Sequence, residues 1–582
     1  MNTIEYLIKK LEDFGITDYF GVPGDYNSNI LDAIVNNQNS RWIGCTNELN
    51  AGYAADGYAR QKGFGALVTS FGVGELSAIN AIAGSYAENV PVINIVGVPS
   101  AEILNGKQIY HHNFQEPNRF AFVDAYKTVT ETTAFLNKDN AKMEIDRVLR
   151  AFERERKPVY IAIPEDIAIS EFSFKDVDYN WLSDTGNLEI VTNLITEKIH
   201  NSQKPVIIGD VLIKRYDAKN EFSEFVRKSG IPVTNFLMGA NIINMDTENY
   251  LGTYLSKYGN PQAKEYLDGT DCLIAVGVIY GDKNSFGTPV PHKINSDIAI
   301  YGTYTYVEGK KYENIKMSDI LHEISKKINH KKYGNDKFSG GYNPSCTQKE
   351  KLNSNYIYSR LQEFFKGDDI IFAESGTVSD GFAPMKLPEN CEFHNQLLWS
   401  SSGWATPASF GASIANPKTR TVLVTGDCAH QMSAMEIGSM CRYGIKPVII
   451  VINNSGYQTE KDFSDEFNKE YTGRSDIEFA KFARAFKADV WSTKVATDDD
   501  FDKALRVTQI MDKLCYIEAI VDKSDSPDFS NQMSTQDKSQ DKPPVSSAKI
   551  KQKDKNISKR NVSDSKNYAT NIHTSLKEYE GE

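Results

Sequence analysis

Two apolar runs in the last third of the chain each end in residues that can bind a hard metal ion. The first run ends at Gly426 and leads into Asp427, and the second leads into Asn454 and Gly456. A right-handed crossover places the carboxyl ends of parallel strands side by side. We therefore expect a carboxylate, an amide oxygen and a backbone carbonyl at one sheet edge. Such oxygen ligands suit magnesium, which often arrives with a diphosphate.

The spacing distinguishes this pattern from other phosphate-binding loops. Gly-Asp-x, 24 further residues and then Asn-Asn resemble the thiamine diphosphate fingerprint, whereas Walker and dinucleotide loops lack this arrangement. The alternative is an ordinary pair of buried strands with an Asp and an Asn in their turns. The intervening segment is predicted to be one helix of about 14 residues. Its Met432, Met435 and Met440 are interpreted as core packing.

Two carboxylates in the first third could take part in proton transfer. Glu48 is predicted to begin a helix of small residues, where a carboxylate could simply favour the helix N-terminus. Asp25 follows a glycine in a turn, a position where Asp is common for conformational reasons. Each therefore has a structural explanation when it is considered alone.

A histidine doublet and a further glutamate complete the candidates. Adjacent histidines usually point apart, so His111 and His112 are expected to make a poor bidentate metal pair. As a pair in a loop they suit proton transfer near neutral pH. Glu460 lies six residues after Asn454, close to the predicted phosphate edge.

Strands that alternate with helical segments position these residues and predict an α/β fold of three doubly wound parallel-sheet domains. The predicted boundaries are 1–180, 187–330 and 353–525, with a linker at 331–352 and a disordered, low-complexity tail at 526–582. The unit at 187–330 shows no cluster of ionisable residues. It is expected to be architectural or regulatory.

Composition excludes several classes of protein. The chain has 582 residues and a net charge of −12, which gives no broad basic face for nucleic acid. Its seven cysteines are scattered, with no C-x-x-C pair, as in reduced thiols of a cytoplasmic protein. The N-terminus lacks a signal-peptide pattern, and no run of about 18 apolar residues predicts a membrane span.

Longer segments resemble the thiamine diphosphate-dependent 2-oxo acid decarboxylases, particularly pyruvate and indolepyruvate decarboxylases. The likeness covers about residues 1 to 525. The segments that carry it are FGVPGDYN (20 to 27), CTNELNAGYAADGYAR (45 to 60), SFGVGELSAINAIAGSYAEN (70 to 89), VGVPS (96 to 100), YHHN (110 to 113), AESGT (373 to 377), LLWSSSGW (397 to 404) and the stretch from GDC to NNSGYQTEK (426 to 461).

The resemblance implies a role for each candidate and names the outer domains pyrimidine-binding and diphosphate-binding. Glu48 corresponds to the glutamate that hydrogen-bonds the aminopyrimidine ring of the cofactor. The implied magnesium ligands are Asp427, Asn454 and the Gly456 carbonyl. The implied proton-handling cluster is Asp25, His111, His112 and Glu460. In the family the first domain of one subunit meets the third domain of another, so the smallest working assembly is a dimer, and a tetramer is compatible.

Four positions depart from the family pattern. Cys428 replaces the usual glycine of the fingerprint, and we expect weaker but surviving phosphate binding. Ser400 replaces a glycine whose carbonyl faces the aminopyrimidine, which a serine backbone can still do. Ser402 replaces a bulky residue that props the cofactor in its bent shape, and its loss should reduce catalysis more than binding. Thr459 replaces a larger pocket residue, so the pocket is expected to be roomier and more polar.

The resemblance implies non-oxidative decarboxylation of a 2-oxo acid, pyruvate or a larger or more polar relative, to an aldehyde and carbon dioxide. Two alternatives stay open. One is a carboligase that forms acetolactate or an acyloin; it is disfavoured because the histidine doublet and Glu460 suit protonation. The other is a cofactor-binding scaffold without turnover, which the replacements at Cys428, Ser402 and Thr459 would explain.

Overall fold

The computed structural model describes residues 1–106, 109–115, 118–173, 177–286, 297–334, 351–456, 476–486 and 489–537. Within them three β-sheets follow one another along the chain, each with helices between its strands. This arrangement confirms the predicted α/β class. No helix in these residues is long and apolar enough to cross a membrane.

The first sheet is parallel throughout and has the strand order β2-β1-β3-β4-β6-β5. Its central strands are fully buried, as expected where helices cover both faces of a parallel sheet. The strands are β1 Asp18–Gly21, β2 Arg41–Gly44, β3 Gly65–Ser70, β4 Val92–Val98, β5 Thr132–Phe135 and β6 Val159–Pro164. The helices are α1 Thr3–Asp13, α2 Ser28–Asn36, α3 Glu48–Lys62, α4 Val73–Ala87, α5 Ala101–Asn105, α6 Ala121–Tyr126, α7 Ala141–Glu155 and α8 Glu165–Ala168.

The middle sheet has the order β13-β12-β11-β10-β7-β8-β9. Strand β12 runs antiparallel to both of its neighbours, β11 and β13. The strands are β7 Pro205–Gly209, β8 Val233–Asn235, β9 Tyr250–Thr253, β10 Cys272–Val276, β11 Ile298–Ile300, β12 Tyr304–Val307 and β13 Lys310–Glu313. The helices are α9 Thr185–Asn201, α10 Leu212–Arg215, α11 Lys219–Ser229, α12 Pro261–Asp268 and α13 Met317–Lys327.

The third sheet is parallel, with the order β15-β14-β16-β17-β19-β18. The strands are β14 Ile370–Ala373, β15 Glu392–His394, β16 Thr421–Gly426, β17 Val448–Asn453, β18 Val490–Val495 and β19 Leu514–Ile520. The helices are α14 Ser354–Phe364, α15 Thr377–Phe382, α16 Ala405–Ala415, α17 Asp427–Ser433, α18 Glu436–Arg442, α19 Phe479–Arg484, α20 Asp498–Thr508 and α21 Asp528–Asp537.

The segment between β16 and β17 differs from its prediction. The expected single helix is two helices of seven residues each, α17 and α18. Met440 is fully buried, but Met432 and Met435 are each 54% exposed. The interpretation of all three as core packing is therefore wrong for the isolated chain, because the break between the helices leaves the first two methionines at the surface.

The predicted disordered tail begins too early. Helix α21 lies within it, and Phe529 of this helix is buried against the ring of Phe286, with 5.0 Å between ring centroids. An aromatic anchor thus orders a segment whose composition is otherwise polar. The remainder of the predicted tail, 538–582, lies outside the described residues.

We call the parts of the chain that carry the first, middle and third sheets the first, middle and third units. Helices α3 and α16 join the first and third units by close backbone packing. A Cβ atom on Gly57 would overlap the carbonyl oxygen of Ala408, and one on Gly411 would overlap that of Ala54. Beside this contact the buried Arg60 guanidinium pairs with Asp56 and Glu88, at 2.7 and 2.8 Å. The first and third units are therefore packed closely against each other within one chain.

Candidate active site

The ends of β16 and β17 lie side by side, as the spacing predicts. Gly426 pairs with Ile452 in the parallel register, so the two strands leave the sheet at the same edge. Asp427 is buried there as the first residue of α17, and its Oδ1 accepts a hydrogen bond from the Cys428 N–H at 2.9 Å. A carboxylate is thereby held at the sheet edge.

A cavity of about 200 Å³ opens at this edge. Its walls include the residues predicted to bind the cofactor, apart from Glu48 and the buried Asp427: Ser400, Ser402, Gly426, Cys428, Asn454 and Gly456. Ser400 has a left-handed backbone with φ +56°, a conformation that glycine adopts more readily than serine. Cys428, at the fingerprint position where glycine was expected, is buried and lines the cavity wall.

The cavity wall also includes Glu374, which follows β14 in the AESGT segment but was not singled out as a candidate. Its carboxylate accepts hydrogen bonds from the N–H groups of Ser375 and Ala405, at 3.2 and 3.3 Å. Burial raises the pKa of Glu374 to about 7, although these backbone donors lower it. A carboxyl directly after a central strand was the signal available in the sequence.

Lys283, from the loop after β10, lines the same cavity and donates a hydrogen bond to Ser400 Oγ at 3.3 Å. The middle unit, whose sequence shows no cluster of ionisable residues, thus contributes one cation to the cavity wall. The position of Lys283 after β10, at the carboxyl edge of parallel strands, was the only signal in the sequence for a site residue here, because one isolated lysine has no motif around it.

Glu48 lies elsewhere, at the first turn of α3. The Asn47 side chain caps this helix by accepting a hydrogen bond from the Asn50 N–H at 2.8 Å. A Cβ atom on Gly74 would be 3.3 Å from Glu48 Oε1, so glycine leaves space for the carboxylate at the start of α4. Glu48 is half-buried on this face of the first unit.

Asp25, His111 and His112 form one cluster on the first unit. Their ligand atoms lie within 4.8 Å of one another, and His111 Nε2 is 2.5 Å from Asp25 Oδ2. Burial is the largest influence and acts to raise the pKa of Asp25, but the hydrogen bond and charge of His111, together with backbone hydrogen bonds from Tyr26 and Asp25, lower the pKa overall. Tyr26 stacks on His111, with 4.8 Å between ring centroids, and its hydroxyl lies 3.2 Å from Nδ1.

The two histidine rings do not point apart as expected. Their centroids are 4.7 Å apart and the rings are nearly perpendicular. The cause is the backbone of His112, whose φ of +64° turns its side chain back toward His111. The His112 carbonyl packs against Gly72, where a Cβ atom would overlap it. Glycine at position 72 thus permits the arrangement of the doublet.

The predicted site is divided within one chain. Among the described residues, those that line the cavity do not include Glu48, Asp25, His111 or His112. Glu460 and Thr459 lie outside the described residues, so their predicted places stay predictions. The chain therefore presents a cavity lined by the predicted cofactor-binding residues of its third unit, and a separate cluster of Asp25, His111 and His112 on its first.

Comparisons with known proteins match three domains in order. Residues 1–122 match the N-terminal TPP binding domain of thiamine pyrophosphate enzymes, 192–313 their central domain, and 376–519 their C-terminal TPP binding domain.

Whole-chain relatives support the same grouping. The chain is similar to pyruvate decarboxylase 4 of Arabidopsis thaliana, with 32% identity over 90% of this chain and 89% of the relative. It is also similar to pyruvate decarboxylase of Kluyveromyces lactis, with 30% identity over 90% and 96%. An alpha-keto-acid decarboxylase of Mycobacterium avium is 32% identical over 79% and 83%.

Proposed function

The chain belongs to the thiamine pyrophosphate-dependent 2-oxo acid decarboxylases, which are carboxy-lyases, and on this premise we propose that two copies of it together form each active site. The reaction converts a 2-oxo acid to an aldehyde and carbon dioxide. The observation that most directly supports an active site shared by two copies is the division of the predicted residues between a cavity on one unit and an acid–base cluster on another.

The residues at the cavity fit a magnesium diphosphate. Asp427 offers a carboxylate, Asn454 an amide oxygen and Gly456 a carbonyl, at the edge where adjacent strands end. Magnesium prefers such hard oxygen donors and usually binds phosphate at the same time. The metal would also reduce the repulsion between the diphosphate and a chain with a net charge of −12.

Residues from the first unit of the other copy would complete the site. Bound thiamine diphosphate supplies the electron sink that decarboxylation needs. Glu48 would hold a proton against the aminopyrimidine ring. His111, whose Nε2 lies 2.5 Å from Asp25 Oδ2, would deliver a proton to the reacting carbon together with His112.

Exposed apolar side chains support self-association. Val73 is 56% exposed at the start of α4, next to Gly74, which faces Glu48, and Trp399 is 42% exposed before Ser400 in the chain. Met432 lies in α17, the helix that begins at Asp427, and Met435 follows this helix; each is 54% exposed. Apolar side chains around both halves of the divided site would be covered if a second copy brought those halves together. A dimer is the minimum, and a tetramer is compatible.

A cytoplasmic location is part of the proposal. The cysteines among the described residues, from Cys45 to Cys515, are all free thiols. Free thiols of this kind persist in a reducing compartment.

The first test measures carbon dioxide and aldehyde from a panel of 2-oxo acids with thiamine diphosphate and magnesium. Aldehyde with equimolar carbon dioxide is the expected result. Acyloin in place of free aldehyde would identify a carboligase, and cofactor binding without any product would identify a scaffold. Omission of magnesium after treatment with a chelator is the matched control, and it should abolish both cofactor retention and turnover.

The second test asks whether each site uses two copies. Glu48→Gln and Asp427→Ala should each be inactive alone. A hybrid dimer would have one site with both defects and one site with neither, so random mixing should restore about a quarter of wild-type activity. If both residues served the same site from one chain, no mixture would be active, and the shared-site proposal would be wrong.

A further inference from the structure

Lys283 is held in the cavity wall by its neighbours in the chain. The next residue, Asn284, is fully buried, and its side chain donates to Asp210 Oδ2 and to the Ile279 carbonyl, both at 2.8 Å. Its Oδ1 accepts the Met238 N–H, also at 2.8 Å. Three hydrogen bonds thus fix the loop after β10. The backbone at Lys283 is therefore held beside the cavity, and its exposed side chain reaches Ser400 Oγ.

The ammonium group of Lys283 has unused hydrogen-bonding capacity. It has three donors, and the described residues supply one acceptor, Ser400 Oγ at 3.3 Å. No carboxylate among the described residues forms an ion pair with it. Of the two acidic side chains in the described cavity wall, Glu374 accepts backbone N–H groups and Asp525 accepts the N–H of Ser354. A cation in the wall without a protein anion fits an anionic ligand.

From this geometry we propose that the substrate is a 2-oxo acid with a second, distal anionic group, and that Lys283 binds this group. The inference rests on the proposed function, because it specifies the substrate of that same site. In the reaction the C1–C2 bond breaks, C1 leaves as carbon dioxide, and a proton adds to C2 with the remaining electron pair. A 2-oxo dicarboxylate would give carbon dioxide and an aldehyde that keeps the distal carboxylate.

The reacting carboxylate is a poorer partner for Lys283. It loses its charge as carbon dioxide forms, so a cation paired with it would stabilise the ground state more than the transition state. A distal carboxylate keeps its charge throughout, and its contact with Lys283 contributes to binding without opposing the reaction.

The cofactor diphosphate is the other anion that could reach the cavity. Its expected ligands are at the strand ends, Gly426, Asn454 and Gly456, whereas Lys283 contacts Ser400, in the loop that the resemblance places by the aminopyrimidine. The two possible anions, the cofactor diphosphate and the distal group of the substrate, predict different defects in a Lys283 variant. Loss of the diphosphate contact would weaken the cofactor, and loss of the substrate contact would change substrate preference.

The test compares 2-oxoglutarate with 2-oxopentanoate, in which a methyl group replaces the distal carboxylate. The wild-type enzyme, loaded with cofactor and magnesium, should have the higher kcat/KM for the diacid. In Lys283→Met the ratio of the two kcat/KM values should fall by about 10-fold or more, the usual effect of losing a charged hydrogen bond. Lys418→Met, at an exposed position away from the cavity, is the matched control and should keep the wild-type ratio.

Binding measurements complete the test. Glutarate should raise the Tm of the loaded wild-type enzyme but not that of Lys283→Met. Pentanoate should change the Tm of both proteins by the same amount. Equilibrium dialysis should give both proteins the same affinity for thiamine diphosphate; a weaker affinity in the variant would assign Lys283 to the diphosphate and overturn the inference. Turnover of both acids with an unchanged ratio would overturn it while leaving the decarboxylase intact. Turnover of no 2-oxo acid would overturn the proposed function as well.

Discussion

Glu75 should make the stability of the first unit depend on pH. This carboxyl is fully buried at the start of α4, where its Oε1 accepts the Gly72 N–H and its Oε2 accepts the Tyr160 hydroxyl, both at 2.8 Å. Burial raises its pKa from 4.5 to about 7, although both hydrogen bonds lower it. The folded chain therefore binds this proton more tightly than the unfolded chain does.

The sign and size of the effect follow from linkage. The contribution of Glu75 is fully present below pH 4.5 and is lost as the pH rises to about 7, because the unfolded chain ionises first. The difference between the two pKa values corresponds to roughly 3 kcal/mol. Glu75→Gln removes this dependence, since an amide cannot ionise. Relative to wild type, the variant should therefore become more stable as the pH rises.

The assay is the Tm of both proteins from pH 5 to pH 8, with cofactor and magnesium fixed at saturation so that binding contributes equally. The Tm of the variant minus that of wild type should increase by several degrees, since about 1 kcal/mol moves the Tm of a domain this large by about 2–4 °C. A less favourable hydrogen bond from the amide would add only a constant offset. Glu189→Gln, at an exposed position, is the control. A difference that stays constant across this pH range would refute the reasoning.

Three further predictions concern packing, charge and metal binding. Gly57→Ala should cost about 1–3 kcal/mol or more, because its methyl group would overlap a carbonyl of α16; thermal melts against the exposed Gly186→Ala would measure this. Arg60→Met should cost about 3–5 kcal/mol in urea unfolding, because it leaves two buried carboxylates without their cation, and a near-neutral effect would contradict that pairing. Asp427→Ala should lose bound thiamine diphosphate on desalting, whereas the exposed Asp499→Ala should retain it; equal retention would remove Asp427 from the metal site.

Local patterns in the sequence predict much of the fold and half of the candidate site. Apolar runs bounded by glycine and polar residues predict the central strands, and the connection rule for parallel strands places their polar ends at one edge. Gly426 and Asn454 therefore line one cavity, as expected from a span of fewer than thirty residues. Short edge strands such as β2 and β15 are hard to predict, because their few residues carry little pattern of their own.

Contacts between residues far apart in the chain decided the other half of the candidate site. The sequence by itself determined the type of cofactor site, since the groups that form it are close in sequence and follow from strand order. Only the tertiary structure turned His112 back toward His111 through a left-handed backbone, and only it brought Lys283 from the middle unit to Ser400 of the third. Backbone strain and packing between units depend on surroundings that no local pattern encodes.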